Sequence, residues 1–305
     1  MRLIVMGQQA FGKDVLAKLL ETGTDEVVAV YCEPDREGKP VDPIKELALE
    51  KGLPVLQPAH FKDQETIDEL AGFDADLMIM AFVNVFVPEA ARDTPKQGSI
   101  CFHPSLLPLH RGPSAVNWPI IMGSTKSGFS WFYPTDGLDE GDVLLKWECE
   151  IGPDDTVIDL YFKKIYPAAV ASALEVCDLY RSGNPPRILQ DEAQATYERR
   201  CTAKHAHVDW HKPVGQVYDL IRGTNPAPGA WTTHDGSKLG VFDSVRVPGD
   251  GVSGRVIEVS DAGVTVQCIG GRILVKRVRP EGGDKQPAAE WAASVGLNPG
   301  DNLES

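Results

Sequence analysis

The sequence is short of the residues that build metal and disulfide frameworks. Its six cysteines, at positions 32, 101, 149, 177, 201 and 268, include no CxxC pair and no regular spacing. That pattern argues against a zinc ribbon and a disulfide scaffold, and no metal is expected. No apolar run reaches the roughly eighteen residues a membrane helix needs, so no membrane partner is expected. The opening residues Met1-Arg2-Leu3-Ile4-Val5-Met6-Gly7 carry one basic residue and only a short apolar stretch. They read as a first strand rather than a secretory segment, and a reducing cytoplasm is the expected compartment. Basic charge is also scarce: 30 Lys and Arg against 44 Asp and Glu give a formal net charge of −14. Such a chain repels polyphosphates unless a local basic patch compensates. Finally, Gly7-Gln8-Gln9-Ala10-Phe11-Gly12 lacks the GxGxxG spacing of a dinucleotide turn and reads as a tight turn at a sheet edge.

What is present describes an ordinary globular protein. At 305 residues, with 42% apolar and 24% charged residues, the default is two domains. Apolar runs at 3–6, 26–31, 53–56, 74–82 and 98–103 alternate with helical periodicity at 14–20 and 44–51. Alternation of this kind predicts βαβ units and an α/β, Rossmann-like doubly wound sheet, whose ligands sit beyond the carboxyl ends of the strands. Segments 129–133 and 143–151 predict a hairpin. Residues 156–181 predict a long helix with a kink at Pro167. Polar residues from about 185 to 204 read as a linker. Beyond it a helix at 214–222 precedes short strands at 238–242, 254–259, 264–268 and 272–279, the texture of a small β-barrel or sandwich. The expected division is 1–184, a linker at 185–204, and 205–305.

Two segments carry chemistry. His103 ends an apolar strand and heads a proline-bracketed loop, His103-Pro104-Ser105-Leu106-Leu107-Pro108. Asp139 lies in the glycine-punctuated turn Asp136-Gly137-Leu138-Asp139-Glu140-Gly141-Asp142. A cationic histidine can face a developing oxyanion while a carboxylate holds it and takes a proton. Taken singly, each has a plainer reading, a core histidine and a turn-forming aspartate. Cys101 sits two residues before His103 and points to the same strand face, so it reads as a small apolar filler rather than a nucleophile. His110-Arg111 reads equally as an anion contact or as a loop brace. Trp118, Trp131 and Trp147 read as core.

The run from His103 to Gly112, with Asp136–Asp142, resembles the signature of the 10-formyltetrahydrofolate-dependent formyltransferases. Asn117-Trp118, Pro153-Asp154-Asp155-Thr156, Val208-Asp209-Trp210, Ile221-Arg222-Gly223 and Pro228-Gly229-Ala230-Trp231-Thr232 extend the resemblance over nearly the whole chain. It implies a Rossmann-like formyl-transfer domain, an OB-like C-terminal β-barrel domain, and 10-formyltetrahydrofolate as cofactor with tetrahydrofolate as product. It also implies a folate cleft lined by Phe82, Val83, Asn84, Val85, Phe86 and Val87, with Pro104, Asp136, Gly137 and Leu138. The family's catalytic trio is Asn-x-His plus an Asp. Carried over, the histidine is His103 and the aspartate Asp139, but Cys101 occupies the asparagine position, as in the hydrolase domain of 10-formyltetrahydrofolate dehydrogenase, which also lacks that asparagine. A thiol is a poor donor beside an amide.

The tRNA-formylating branch carries a basic insertion after the second strand. Here residues 32–43 hold four acids (Glu33, Asp35, Glu37, Asp42) against two bases (Arg36, Lys39), a net of −2. The implied enzyme therefore moves formyl to water or a small amine, with tRNA unlikely as a partner. The alternatives are a methionyl-tRNA formyltransferase and a catalytically impaired folate-binding protein.

Overall fold

The computed structural model describes residues 1–304, which divide into two compact units. The first comprises Met1–Arg111, Gly128–Glu148 and Lys164–Tyr197. The second comprises Gly112–Ser127, Cys149–Lys163 and the chain from Glu198 onward.

The first unit begins with β1 (Arg2–Gly7), α1 (Gln9–Thr22), β2 (Glu26–Tyr31), α2 (Pro43–Glu50), β3 (Val55–Leu56), α3 (Gln64–Gly72), β4 (Leu77–Ala81), α4 (Glu89–Arg92) and β5 (Ser99–His103). The chain continues through α5 (Asn117–Ile121) of the second unit to β6 (Lys126–Phe132) and β7 (Val143–Glu150), then through α6 (Val157–Leu160) of the second unit to α7 (Tyr166–Arg181). The sheet order is β3-β2-β1-β4-β5-β6-β7. The first five strands pair in parallel, and β6 pairs antiparallel with β5, with Cys101 opposite Phe132 and His103 opposite Ser130. This is the expected doubly wound sheet. Strand order reverses between β1 and β4, so a crevice opens at their carboxyl ends. Continuous burial of Leu3, Ile4 and Val5, and of Leu77, Met78 and Ile79, is what a strand covered on both faces requires.

Gly7 ends β1 and lines that crevice. The turn after β1 therefore lies at the centre of the sheet rather than at its edge. A Cβ on Gly7 would lie 2.4 Å from the Ala81 carbonyl oxygen and 3.2 Å from the Gly12 Cα. Both glycines of the segment thus serve close backbone packing. Gly7→Ala is expected to lower stability by about 1–3 kcal/mol, because the clash is with main chain that cannot step aside. Thermal melting of the two proteins checks this, and an unchanged midpoint contradicts it.

The long helix expected at 156–181 is continuous from Val157 to Arg181, and its irregularity is a π turn at Tyr161–Ile165, directly before Pro167 in the first turn of α7. Thr156 and Asp159 form a capping box at the start of α6, with the Asp159 carboxylate accepting from Thr156 N (3.0 Å) and Oγ1 (2.7 Å). Burial pushes the Asp159 carboxyl up, but Lys163 and the Thr156 hydrogen bonds outweigh it and hold it down to about 2. A carboxyl held low stabilises the fold above its unfolded value, and that stabilisation drains as pH falls from about 4 to about 2. Its ceiling is about 2 kcal/mol, since exposed Lys163 is screened by water. Asp159→Asn is therefore expected to melt earlier than the parent at pH 6 and together with it near pH 2.

In the second unit, α8 (Val214–Gly223) is followed by β8 (Ala230–His234), β9 (Ser237–Val241), β10 (Ser244–Val247), β11 (Val256–Ser260), β12 (Gly263–Cys268), β13 (Gly271–Val275), β14 (Arg277–Pro280), β15 (Gln286–Pro287) and α9 (Ala288–Val295). The strands form two separate four-stranded sheets, β10-β13-β12-β11 and β15-β14-β9-β8, and no ladder among the described residues joins them into a closed barrel. The single strand expected at 272–279 is in fact two. A break at Lys276 carries the chain from one sheet to the other. Trp210, Val241, Val266 and Ile273 are fully buried in this unit's core.

Several of the resemblance motifs meet here and are structural. Buried Arg222 donates to Asp219 Oδ1 (2.8 Å) and to the carbonyls of Gly152 and Asp155, while the Tyr218 hydroxyl donates to Asp154 Oδ1. Asn117 Nδ2 donates to Gly223 O (2.8 Å). Trp131 lies in the core of the first unit and donates to Ser172 Oγ at 2.8 Å, in keeping with the core reading.

Candidate active site

β5 delivers His103 to the carboxyl edge of the sheet, and the β6–β7 connection brings Asp139 to it. Nδ1 of His103 lies 3.5 Å from Asp139 Oδ2, with side chains only 8% and 17% exposed. Nε2 donates to the His110 carbonyl oxygen at 2.9 Å, so that nitrogen carries the proton. In its cationic form the ring therefore has an oxygen at each nitrogen. The 3.5 Å separation is longer than a strong hydrogen bond.

The backbone that presents these groups is unusual. Asp139 (φ 56°), His110 (φ 58°) and Phe82 (φ 62°) all occupy the left-handed region without being glycine. Three such residues around one edge concentrate conformational cost at a site, a feature of functional loops. Gly141 permits the Asp139 turn: a Cβ there would lie 1.6 Å from the Tyr133 carbonyl oxygen.

Cys101 lies partly buried on the His103 side of β5, where its Sγ makes a weak contact with the Phe102 carbonyl oxygen at 3.7 Å. Burial pushes its thiol well up, and the Asp139 charge adds to this. A thiol held protonated in this way is no nucleophile.

The two residues read as possible substrate contacts behave differently. His110 offers its carbonyl to His103. Arg111 is wholly buried, and its guanidinium donates to Gln190 Oε1, both Glu192 carboxylate oxygens and the Tyr197 hydroxyl. These bonds are those of a loop brace. Arg111 is held charged, first by its hydrogen bonds to Glu192.

The segment read as the folate wall follows β4. Phe82, Val85 and Phe86 are exposed apolar side chains, whereas Val87 is buried. Phe82, Val83, Asn84 and Val85 line a small cavity of about 20 Å³ with Gln8 and Tyr31. Asp136 lines a second cavity of about 370 Å³ with Arg92, Tyr133, Thr135 and Arg187. Phe86, Pro104, Gly137 and Leu138 line neither of these, and Leu138 is exposed. Arg92 went unnoticed in the sequence because it sits in an unremarkable helical turn. Its buried Nη1 donates to Val87 O (2.7 Å) and to Asp136 Oδ1 (2.8 Å), tying the loop after β4 to the Asp139 turn.

The arrangement can stabilise negative charge on a carbonyl oxygen and move a proton beside it. Comparison with known proteins points the same way. The formyl transferase model matches residues 1–169, and the formyl transferase C-terminal domain model matches residues 200–296. The chain is 36% identical over 307 aligned residues to the cytosolic 10-formyltetrahydrofolate dehydrogenase of Xenopus laevis, covering 95% of this chain and 34% of that protein. It thus spans about a third of the length of that relative. It is 35% identical to the methionyl-tRNA formyltransferase of Geobacter sulfurreducens, covering 99% of this chain and 96% of that one. Among solved structures, HypX from Aquifex aeolicus in complex with tetrahydrofolic acid has the same fold, with a TM-score of 0.67 at 18% identity over all of this chain and 51% of that chain. On the two matched models and these identities, the chain belongs to the formyl transferase family.

Proposed function

We propose that the chain is a one-carbon enzyme that takes formyl from 10-formyltetrahydrofolate, passes it to water or a small amine, and releases tetrahydrofolate. The observation that carries this reading is the His103–Asp139 pair at the carboxyl edge of the sheet, next to the exposed apolar segment 82–86. That segment and Asp136 are the proposed folate wall. The folate named in the Xenopus relative and in the HypX complex supports the choice of donor.

The nucleophile's lone pair attacks the formyl carbon, and the carbonyl electrons move to oxygen. Imidazolium His103 faces that oxyanion, with Nε2 fixed on the His110 carbonyl. Asp139 takes the proton released by the nucleophile. Collapse re-forms the carbonyl and expels the folate nitrogen, which receives the proton from Asp139. Cys101 adds no strong donor, so His103 and backbone groups carry more of the oxyanion charge.

A methionyl-tRNA acceptor is the second reading, favoured by the near-complete coverage of the Geobacter relative. Against it stands the acidic stretch after β2, where Arg36 is already paired with Glu33 (2.7 Å) and the nearby Lys45 with Asp35. A nucleic-acid footprint needs free basic charge. Incubating the protein with 10-formyltetrahydrofolate alone, then with small amines, then with charged initiator tRNA separates the cases. Tetrahydrofolate release without acceptor establishes hydrolysis, and release only with tRNA overturns the small-acceptor reading.

A further inference from the structure

Resting on the catalytic reading above, we infer that Gln190 is a positioning residue for this reaction, set by Arg111 behind it. The segment from Gln190 to Tyr197 acts as a strap on both backbones that hold the catalytic pair. Gln190 Nε2 donates to the carbonyls of Asp139 (2.8 Å) and Gly141 (2.6 Å), gripping the turn on either side of Glu140. Its Oε1 accepts from Arg111 Nε (3.2 Å) and Nη2 (2.8 Å). Only an amide serves both ends, with a donor toward two carbonyls and an acceptor toward a guanidinium. Arg111 is fixed in turn by the Glu192 carboxylate in a two-pronged pair, and all five of its N–H donors are used.

The same strap holds the other partner. Thr196 Oγ1 accepts the His110 N–H (2.8 Å), and Thr196 O accepts the Arg111 N–H (3.0 Å). The Tyr197 hydroxyl donates to Glu140 Oε1 (2.8 Å), next to Asp139. His110 is the residue whose carbonyl orients His103 Nε2. Asp139 and His110 both sit in left-handed backbone, a conformation less favoured for a residue with a Cβ and steadied by surrounding contacts. The strap supplies those contacts from a stretch that contributes no group to the reaction itself.

The test compares Gln190→Ala and Gln190→Glu with the parent. The glutamate keeps acceptors toward Arg111 but loses the donors toward Asp139 and Gly141. Both variants are expected to lose about 30- to 100-fold in kcat, in line with ångström-scale misplacement of a catalytic group. KM and tetrahydrofolate affinity should stay within about threefold. In the Asp139→Asn background the Gln190→Ala change should cost little more, because its effect passes through Asp139. Imidazole ¹⁵N resonances of His103 give a readout independent of turnover, and they should shift in Gln190→Ala. A parent that turns over while Gln190→Ala keeps full kcat overturns the inference alone. A parent without turnover overturns the functional reading, and unmoved His103 resonances in the variant then overturn the strap as well.

Discussion

Asp139→Asn is expected to lower turnover by about 10³- to 10⁴-fold while leaving tetrahydrofolate binding within a few fold. Asparagine is close to isosteric and, like aspartate, tolerates the left-handed backbone found at this position (φ 56°). The backbone carbonyl that Gln190 grips is unchanged, so the turn should keep its shape. In the proposed mechanism, what disappears is what an amide cannot supply: a carboxylate 3.5 Å from His103 Nδ1 and a base for the nucleophile's proton. General acid–base catalysis by one positioned group is worth about 10²–10⁴ in rate. Single-turnover deformylation with equilibrium binding separates the two effects. Near-normal turnover removes Asp139 from the mechanism, and lost binding would mean that its main role is to shape the pocket.

Cys101→Asn is expected to act in the opposite direction. Cys101 shares a strand face with His103, and its thiol is a weak donor. An amide there would aim N–H donors at the oxyanion. A well-placed oxyanion donor is worth about 3 kcal/mol, so formyl transfer should rise by about 10²-fold. The gain comes with a cost in the resting state. Cys101 packs against buried Leu107, Phe132 and Val143, and an amide without a partner there loses about 1–3 kcal/mol of stability. A faster enzyme with a lower melting temperature is the expected pairing. A lower melting temperature with no gain in rate would mean that another donor already serves the oxyanion in this chain.

Much of the frame was legible in the chain itself. Leu3–Met6 and the 74–82 run announced strands buried on both faces, because a parallel sheet leaves no polar side. His103 could be placed at a strand exit and Asp139 in a tight turn from neighbouring prolines and glycines alone. Other elements were less legible. The strands β13 and β14 run together in the sequence without a turn signal, and only packing into different sheets separates them at Lys276. Pro167 reads as an irregularity because a proline inside a helical pattern removes a hydrogen bond, but that the irregularity takes the form of a π turn over the five residues from Tyr161 to Ile165 is not written in any local pattern.

The sequence by itself determined the α/β sheet, the strand that ends in His103, the turn that carries Asp139 and the thiol at position 101. Each of these follows from signals spanning a few residues: apolar periodicity, turn-forming residues and motif spacing. The tertiary structure alone decided the approach of His103 to Asp139, the fate of Arg111 as a buried brace, and the grip of Gln190 on a turn 51 residues away. The physical reason is range. A hydrogen bond from a side chain to a distant carbonyl depends on where two backbones finish, and no local pattern in either segment records its partner.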